Sequence, residues 1–573
     1  MPEKIPTDVH IEVYFARSVE NLEGLPSPVI AIIPDNDNPN WNDFGRKFFA
    51  RLYVYQAEGV SLDFHMRVMF QGRPNSSTVF SELFIQHGDV FRIGVVDQPF
   101  ITLLPQVDMY RDVIEMLGFE VGISALRKMH DASVARTEGD NPELMELVSS
   151  EDFHFGVLRL GAAYDALRRG SRHFRPDPLP QVDDLAGNFV FSARLLCADN
   201  PYTLPFHFCP DPVFRNRISV LIGQNGSGKT HLLKAIVDGL HKPQEPDSGR
   251  QRFMPQLLPS KVIVFSSVPT DPFPPAIGAW RGIDYEYYAV NSALDDDNNS
   301  LLGALVACWK TDEGGVFGAE RDATRMGFVK EALSSIGLWE GLHLPVLPQP
   351  VHDGLPYVVI VEEQSYFPIC RKLNEKKSIQ LIHQIDWDRV PIILNNLGDV
   401  RRLSSGEYAM MRFAAQAISA VEQGSLILLD EPETHLHPNY VSNLIEVLDN
   451  LLQSTGSVAI IATHSAYVVR ETPRDCVSVL TLEGRRVRID RPRMQTFGAS
   501  IDSISQFVFG DTSISHSYQK TLTNWADQVG RELGIEAVIE RYGHQLNSES
   551  LSFIARKLAE PPADEHASSE PET

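Results

Sequence analysis

A strand, a tight glycine turn and a helix that follow one another without a break constrain this chain more than anything else in it. Residues Ile218–Ile222 are apolar but for Ser219, Gly223-Gln224-Asn225-Gly226-Ser227-Gly228-Lys229-Thr230 follows at once, and Leu232, Leu233, Ile236 and Val237 then share one helical face. Gly223, Gly228, Lys229 and Thr230 satisfy G-x-x-x-x-G-K-[ST] in the strand-to-helix setting that the pattern needs. The glycines let the backbone curl so that the N–H groups around Asn225, Gly226 and Ser227 aim at phosphate oxygens, and the helix start adds its positive end. Lys229 is placed to reach the β- and γ-phosphates, and the Thr230 hydroxyl to hold Mg²⁺. A nucleoside triphosphate is therefore the expected ligand. A glycine turn that only joins a strand to a helix is disfavoured because both flanks are correct.

The 573-residue length exceeds what one core supports and predicts roughly two to four domains. No apolar run approaches the roughly 18–20 residues that span a bilayer, and Met1-Pro2-Glu3-Lys4 is not followed by an apolar signal region, so a cytoplasmic protein without membrane contact is expected. Cys197, Cys209, Cys308, Cys370 and Cys476 are far apart with no ligand spacing and read as reduced structural thiols. The net charge of −24 excludes a wholly basic nucleic-acid binder and leaves only local patches.

The expected domains are an N-terminal accessory region at 1–180, a nucleotide-binding domain at 181–495 with an inserted lobe at 276–395, a C-terminal helical segment at 496–560 and a disordered tail at 561–573. In the first region, Ile11–Ala16, Val29–Ile33, Leu52–Tyr55, Leu62–Phe70 and Phe91–Val96 read as strands, and Tyr110–Leu117 and Val157–Leu167 as helices. Pro34–Asn40 reads as a solvated turn. Arg168 and His173 fit a loose Arg-x4-His pattern of small ribonuclease domains, but the basic stretch Arg168–Arg175 reads better as a helix C-terminus leading into a proline linker at Pro176–Pro180.

Further on, Phe189–Leu196, Leu204–Phe208, Val262–Phe265, Tyr357–Val361 and Ile379–Ile385 read as strands, Leu301–Trp309 and Phe328–Ile336 as helices, and Asp295–Asp297 as an acidic loop. No sustained heptads lie between Thr230 and Leu403, so no long coiled-coil arm is expected. A hairpin is expected at Val477–Leu482 and Val487–Ile489, and helices near 518–533 and 549–558.

Three more segments carry chemistry. Leu403-Ser404-Ser405-Gly406-Glu407 opens a helix-like run from Met410 to Val421. Ser425–Leu429 is a buried strand ending in Asp430-Glu431, where Asp430 is placed to hold Mg²⁺ and Glu431 to take a proton from an attacking water. Val458–Thr463 is another buried strand, with His464 at its carboxyl end, where open α/β sheets place ligands and an imidazole can sense a γ-phosphate.

Phosphate loop, Leu-Ser-Ser-Gly-Glu, Asp-Glu and then His464, in that order, resemble the ATP-binding-cassette (ABC) ATPase superfamily over roughly residues 185–495. The resemblance implies an α/β fold: an ABC-type P-loop ATPase with an inserted mixed lobe, an extra N-terminal α/β region and a C-terminal helical segment. It makes Gly223–Thr230 the Walker A motif and Asp430-Glu431 the Walker B motif, with ATP and Mg²⁺ as cofactors, Glu431, His464 and Lys229 as the catalytic set, and Thr230 and Asp430 as the metal holders. Ser404, Ser405 and Gly406 would be the signature that binds the γ-phosphate held by a second copy, giving a head-to-tail homodimer closed by ATP.

Asp430-Glu431-Pro432-Glu433-Thr434-His435-Leu436-His437-Pro438 further resembles the overcoming-lysogenization-defect (OLD) nucleases and the PtuA-type ATPases of prokaryotic antiphage defence. The stretch after residue 495 is too short for the Toprim nuclease domain of OLD enzymes. The resemblance thus implies a gating ATPase whose effector, a nuclease or toxin, is a separate protein encoded nearby. The alternatives are an N-terminal nuclease regulated by the ATPase, and a DNA-repair ATPase of the SMC or RecF kind. Arg401-Arg402, and Arg485, Arg486, Arg488, Arg491 and Arg493 in the hairpin, are the candidate nucleic-acid contacts, with Arg486 and Arg488 on its exposed face. Tyr202 and Phe206 are candidates for stacking on adenine.

Overall fold

A computed structural model describes residues 11–559 apart from 36–44, 57–58, 140, 160, 177–183, 186, 209–216, 242–250, 268–271, 275–283, 291–299, 312–323, 349–353, 435, 509–516, 531–532 and 547. The acidic loop Asp295–Asp297, most of the Pro34–Asn40 turn, most of the proline linker and the 561–573 tail lie outside those residues. The chain forms two compact units, Met1–Gly498 and Ala499–Thr573.

The larger unit begins with a six-stranded sheet of β1 (Val13–Ala16), β2 (Val29–Pro34), β3 (Phe49–Tyr55), β4 (Ser61–Phe70), β5 (Val90–Arg92) and β6 (Phe100–Leu103), in the order β5-β1-β2-β3-β4-β6. β1 and β2 pair in parallel and are buried along their whole length, which is why they read as continuous apolar runs rather than alternating ones. Phe15, Phe70, Phe80 and Phe100 pack against one another in tilted and edge-on pairs at the centre of this core. The helices here are α1 (Ser76–His87), α2 (Val107–Leu117), α3 (Phe119–Lys128), α4 (Ala132–Glu138), α5 (Pro142–Ser149) and α6 (Gly161–Arg169).

A second sheet holds the nucleotide motifs. A small antiparallel layer comes from β7 (Phe189–Ala193), β8 (Tyr202–Phe206) and β10 (Gln251–Met254). The main sheet uses β9 (Ile218–Gly223), β11 (Lys261–Ser266), β12 (Asp284–Ala289), β17 (Ser425–Asp430), β18 (Val458–Thr463), β19 (Val477–Glu483) and β20 (Arg486–Asp490) in the order β12-β11-β17-β18-β9-β19-β20. All its neighbouring pairs are parallel except the β19–β20 hairpin. Parallel strands covered on both faces explain the unbroken burial of β9, β11, β17 and β18.

Between β12 and β17 the chain forms α8 (Leu301–Thr311), α9 (Arg325–Ser335), α10 (Glu375–His383) and a four-stranded sheet of β13 (Leu342–Val346), β14 (Val359–Val361), β15 (Gln364–Pro368) and β16 (Ile392–Ile393). The strand expected at Ile379–Ile385 is instead the end of α10 and the turn after it. Ile379, Ile382 and Ile385 are buried at helical spacing, and the Asn374 side chain caps the helix by accepting from Lys377 N–H. α11 (Ser405–Ala420) packs against α8, α9 and α12 (Pro438–Thr455), and is followed by α13 (Ala466–Arg470).

The smaller unit contains α14 (Ile501–Val508), α15 (Ser517–Trp525), α16 (Ile535–Tyr542) and α17 (Ser548–Ala559). Among the described residues no helix is long and apolar enough to cross a membrane.

The N-terminal sheet and the nucleotide-binding sheet are joined by a largely buried ion cluster. At the end of α6, Arg169 pairs with Glu422 at 3.2 Å and donates to the Ser419 carbonyl at 2.6 Å, and Arg172 also pairs with Glu422. Lys261, with no exposed side-chain surface, lies 2.6 Å from Glu286 and 3.9 Å from Glu422. The basic stretch is thus a helix end, as read, but its cations face the nucleotide-binding domain rather than solvent. His173 is buried, and desolvation followed by the nearby Arg172, Arg111 and Arg175 charges pushes its imidazole down to about 3. Arg168 lies over the Tyr164 ring. A buried imidazole neutral at any ordinary pH, beside arginines committed to Glu422, does not suit the Arg-x4-His nuclease reading.

Candidate functional site

The sheet order decides what meets at the carboxyl ends of the strands. β18 lies between β17 and β9, with Asp430 opposite Ala462 and Thr463 opposite Ile222. The phosphate loop, the Asp-Glu pair and His464 therefore emerge side by side, although 241 positions separate Gly223 from His464.

The loop itself is shaped by its glycines. Gly226 and Gly228 have φ of +80° and +91°, and a Cβ on Gly228 would stand 2.8 Å from the Tyr202 hydroxyl. Tyr202 Oη donates to the Ser227 carbonyl at 2.9 Å from behind the loop. Tyr202 and Phe206 are fully buried, so neither is free to stack on adenine. The Ser227 hydroxyl is buried with no partner among the described residues, while Gln224, Asn225 and Gly226 form an exposed lip. A curled backbone with an unsatisfied inner hydroxyl suits a ligand with several acceptor oxygens. Gly228→Ala adds left-handed strain and a clash with Tyr202, so ATP affinity is expected to fall about tenfold or more, read by titration of a fluorescent nucleotide.

α7 (Lys229–His241) starts directly at the loop. Lys229 is buried, its ammonium donating to the Gly223 carbonyl at 2.9 Å. Burial pulls its pKa below the ordinary lysine value, and the Glu431, Asp430 and Glu433 carboxylates oppose that pull. Thr230 Oγ1 donates to Asp430 Oδ2 at 2.8 Å. A hydroxyl and a carboxylate brought together, both hard oxygen donors, fit Mg²⁺ completed by phosphate oxygens and water.

Glu431 follows β17 in a left-handed conformation, φ +51°, with its N–H bound to the Ala462 carbonyl at 2.8 Å. Such backbone costs a non-glycine residue about 1–3 kcal/mol and persists where the surroundings impose it. Here it turns the carboxylate toward His464, whose Nε2 lies 2.5 Å from Glu431 Oε1. The Nδ1 edge of the imidazole faces the Gly223 carbonyl at 3.1 Å and Lys229 Nζ at 3.3 Å. Lys229, Thr230, Asp430, Glu431 and His464 thus form one connected constellation.

Ser404 and Ser405 are exposed at the start of α11 and Gly406 is buried. Ser404 N-caps the helix in a full capping box with Glu407, which also pairs with Arg401. No hydrogen bond joins Ser404, Ser405 or Gly406 to the phosphate loop among the described residues. His437 N-caps α12, with Pro438 as its first residue, which gives the His-Pro pair a structural reason.

Among the candidate nucleic-acid arginines, Arg401 pairs with Glu407, Arg485 with Asp199, Arg488 with Asp490 and Arg491 with Asp475, so these four spend their charge on neighbouring acids. Arg486 and Arg488 do share the exposed face of β20.

Comparison with known proteins agrees with this geometry. Residues 352–470, which hold the signature, the Asp-Glu strand and His464, match the family AAA_21, described as "AAA domain, putative AbiEii toxin, Type IV TA system". The chain carries an ABC-type P-loop ATPase domain. It is distantly similar to protein ea59 of Escherichia phage lambda, 22% identical over 543 residues that cover 90% of this chain and 92% of that one. Among solved structures, it is similar to cbiO1 of Clostridium perfringens, part of an ABC transporter complex, at 14% identity, TM-score 0.24, covering 60% of this chain and 98% of that one. Another is an SMC head bound to the C-terminal winged-helix domain of ScpA, at 11% identity, TM-score 0.28, covering 55% and 97%. The fold assignment rests on strand order and motif placement rather than on those two superpositions.

Glu433 was missed as a site residue. Its Oε1 accepts from Thr463 Oγ1 at 2.5 Å and from His464 N–H at 3.0 Å. In the sequence it reads only as a letter of the Asp430–Pro438 run.

Proposed function

We propose that the protein hydrolyses ATP as a head-to-tail dimer whose opening and closing gates a separate effector protein in prokaryotic antiphage defence. The observation that carries the hydrolysis is the 2.5 Å contact between Glu431 and His464 beside the buried Lys229 ammonium. Lys229 would balance the β- and γ-phosphate charge, the Gly226–Thr230 N–H groups would cradle the phosphates, and Glu431 would take the proton of the attacking water. Thr230 and Asp430 would hold Mg²⁺, which neutralises charge across the two phosphates when bound. His464, held against Glu431 and the Gly223 carbonyl, would register whether the γ-phosphate is present. The exposed Ser404 and Ser405 at a 16-residue helix start suit a phosphate presented by a second copy.

The defence reading draws support from the toxin named in the family description and from a phage relative of nearly equal length. An effector in a separate chain is favoured by the burial of His173, the imidazole on which the Arg-x4-His nuclease reading rests.

The test is ATP turnover by the full chain together with its native mass, with and without a non-hydrolysable ATP analogue, after co-expression with the neighbouring genes. ATP-dependent doubling with a second protein attached supports the reading. A monomer at every nucleotide concentration overturns the dimer. Lys229→Ala should abolish turnover and weaken nucleotide binding by at least about tenfold, through loss of a buried charge on the phosphates.

A further inference from the structure

The contact between Glu431 and His464 joins residues on two different loops, and each loop leaves its strand free to diverge. Among the described residues a second side chain, that of Glu433, also bridges them, and it does so through the backbone of residue 464. Glu433 lies two residues after Glu431, on the β17 side, and its Oε1 receives both the Thr463 hydroxyl at 2.5 Å and the His464 N–H at 3.0 Å on the β18 side. The Thr463 oxygen in turn accepts from Ser465 N–H at 2.8 Å. Thr463 and His464 are thus tied to one carboxylate oxygen, with Ser465 joined to it only through the Thr463 hydroxyl, and the backbone that carries the imidazole is fixed. With that backbone held, His464 reaches Glu431 through Nε2 and the Gly223 carbonyl at 3.1 Å from Nδ1.

Other groups near His464 do not duplicate this tie. Lys229 meets the imidazole ring and not its backbone. The Ala462 carbonyl is already bound to Glu431 N–H, which fixes the Glu431 backbone but not residue 464. Glu433 also keeps its second oxygen, Oε2, buried with no partner among the described residues. An unpaired buried carboxylate oxygen is costly, and a loop with no use for a strong acceptor at this point would not keep one.

We propose that Glu433 is the positioning residue of the ATPase site, the strut that holds His464 in register with Glu431 and Gly223. This rests on the ATPase reading above. Glu433 touches no phosphate in this role; it acts through His464. Displacing a catalytic group by about 1 Å, or removing the group that orients it, costs on the order of 10- to 100-fold in rate.

The test compares kcat, KM and nucleotide affinity for the wild-type protein and four variants. Glu433→Ala should lower kcat about 10- to 100-fold and leave KM and the affinity for a fluorescent ATP analogue within about twofold of wild type, because the phosphate loop is untouched. Glu433→Gln keeps an acceptor oxygen for Thr463 and His464 and should recover kcat to within about threefold of wild type, by the same orienting bonds. In a His464→Ala background, adding Glu433→Ala should cost nothing further, since the strut acts through the imidazole.

Wild-type kcat in Glu433→Ala overturns the proposal. So does a loss of affinity matching the loss of kcat, a Gln variant as slow as the Ala one, or full additivity with His464→Ala. If Glu433→Ala fails to fold, Glu433→Gln and Thr463→Val decide, the latter losing kcat but not affinity if the proposal holds. Absence of ATP turnover in the wild-type protein would instead fail the ATPase reading itself.

Discussion

Replacing Glu431 by glutamine is expected to cut ATP turnover by about 10²- to 10⁴-fold, the range associated with removing a general base, while ATP binding stays within a few-fold of wild type. The two side chains are nearly the same shape. Glutamine can still accept the His464 Nε2–H bond that Glu431 Oε1 accepts at 2.5 Å, so the loop keeps its geometry. It cannot accept a proton from water. The left-handed backbone of residue 431 is held by its N–H bond to Ala462, which the substitution does not touch. ATP should therefore bind, persist and hold the dimer closed, so that native mass with ATP shows a stable doubled species that the wild-type protein passes through only transiently. Wild-type turnover in Glu431→Gln would remove Glu431 from the role of base. A loss of binding together with turnover would mean that residue 431 shapes the phosphate loop instead.

The motifs that could be read from the sequence are those whose chemistry needs contiguous residues. A phosphate loop must be a strand, a glycine curl and a helix in immediate succession, so Gly223–Thr230 announces itself. Asp430 and Glu431 stand out because two carboxylates ending an apolar strand are costly without a use. What brings these motifs together was not legible. The strand order β17-β18-β9 depends on long-range packing, and nothing local to His464 shows that it emerges between Asp430 and Gly223.

Glu433 illustrates the same limit at the level of one residue: its partners Thr463 and His464 lie 30 and 31 positions away. The misread segments failed for related reasons. Ile379, Leu381 and Ile385 mimic strand alternation because Gln380 and Gln384 fall between apolar residues, yet the Asn374 cap turns the segment into a helix. Tyr202 was a candidate for adenine because an aromatic near a phosphate loop often is, whereas its hydroxyl props the loop from behind. The helix end at Arg168–Arg175 is legible, but the acid that Arg169 and Arg172 share is not, because Glu422 lies 250 or more positions away.

That acid carries the largest expected effect on stability. Glu422→Gln removes the acid that Arg169 and Arg172 share and leaves the cluster's cations to the more distant Asp165 and Asp284 and to Glu286, and is expected to cost about 3–5 kcal/mol, as when one partner of a buried ion pair is removed. Burial alone would raise the Glu422 carboxyl, but Arg172, Lys261 and Arg169 overcome it and hold the group far below its ordinary 4.5. Burial of Glu286 is likewise outweighed by Lys261 and Arg169, which hold it at about 2. Both folded-state values are depressed, so both acids contribute stability that is fully present above the unfolded value near 4.5 and is lost as pH falls toward 2. The gap in urea midpoint between wild type and Glu422→Gln should accordingly be full at pH 7 and shrink below about pH 4.5. A gap that is small at pH 7, or independent of pH, would show that the cluster does not hold the N-terminal region to the ATPase domain.

The location of this acid gives the cluster a mechanical meaning. Glu422 stands just past the end of α11, the helix whose other end carries Ser404–Gly406, and Arg169 also grips the Ser419 carbonyl of that helix. If ATP binding displaces Ser404–Gly406, as the proposed cycle requires, α6 must follow or a buried ion pair must break.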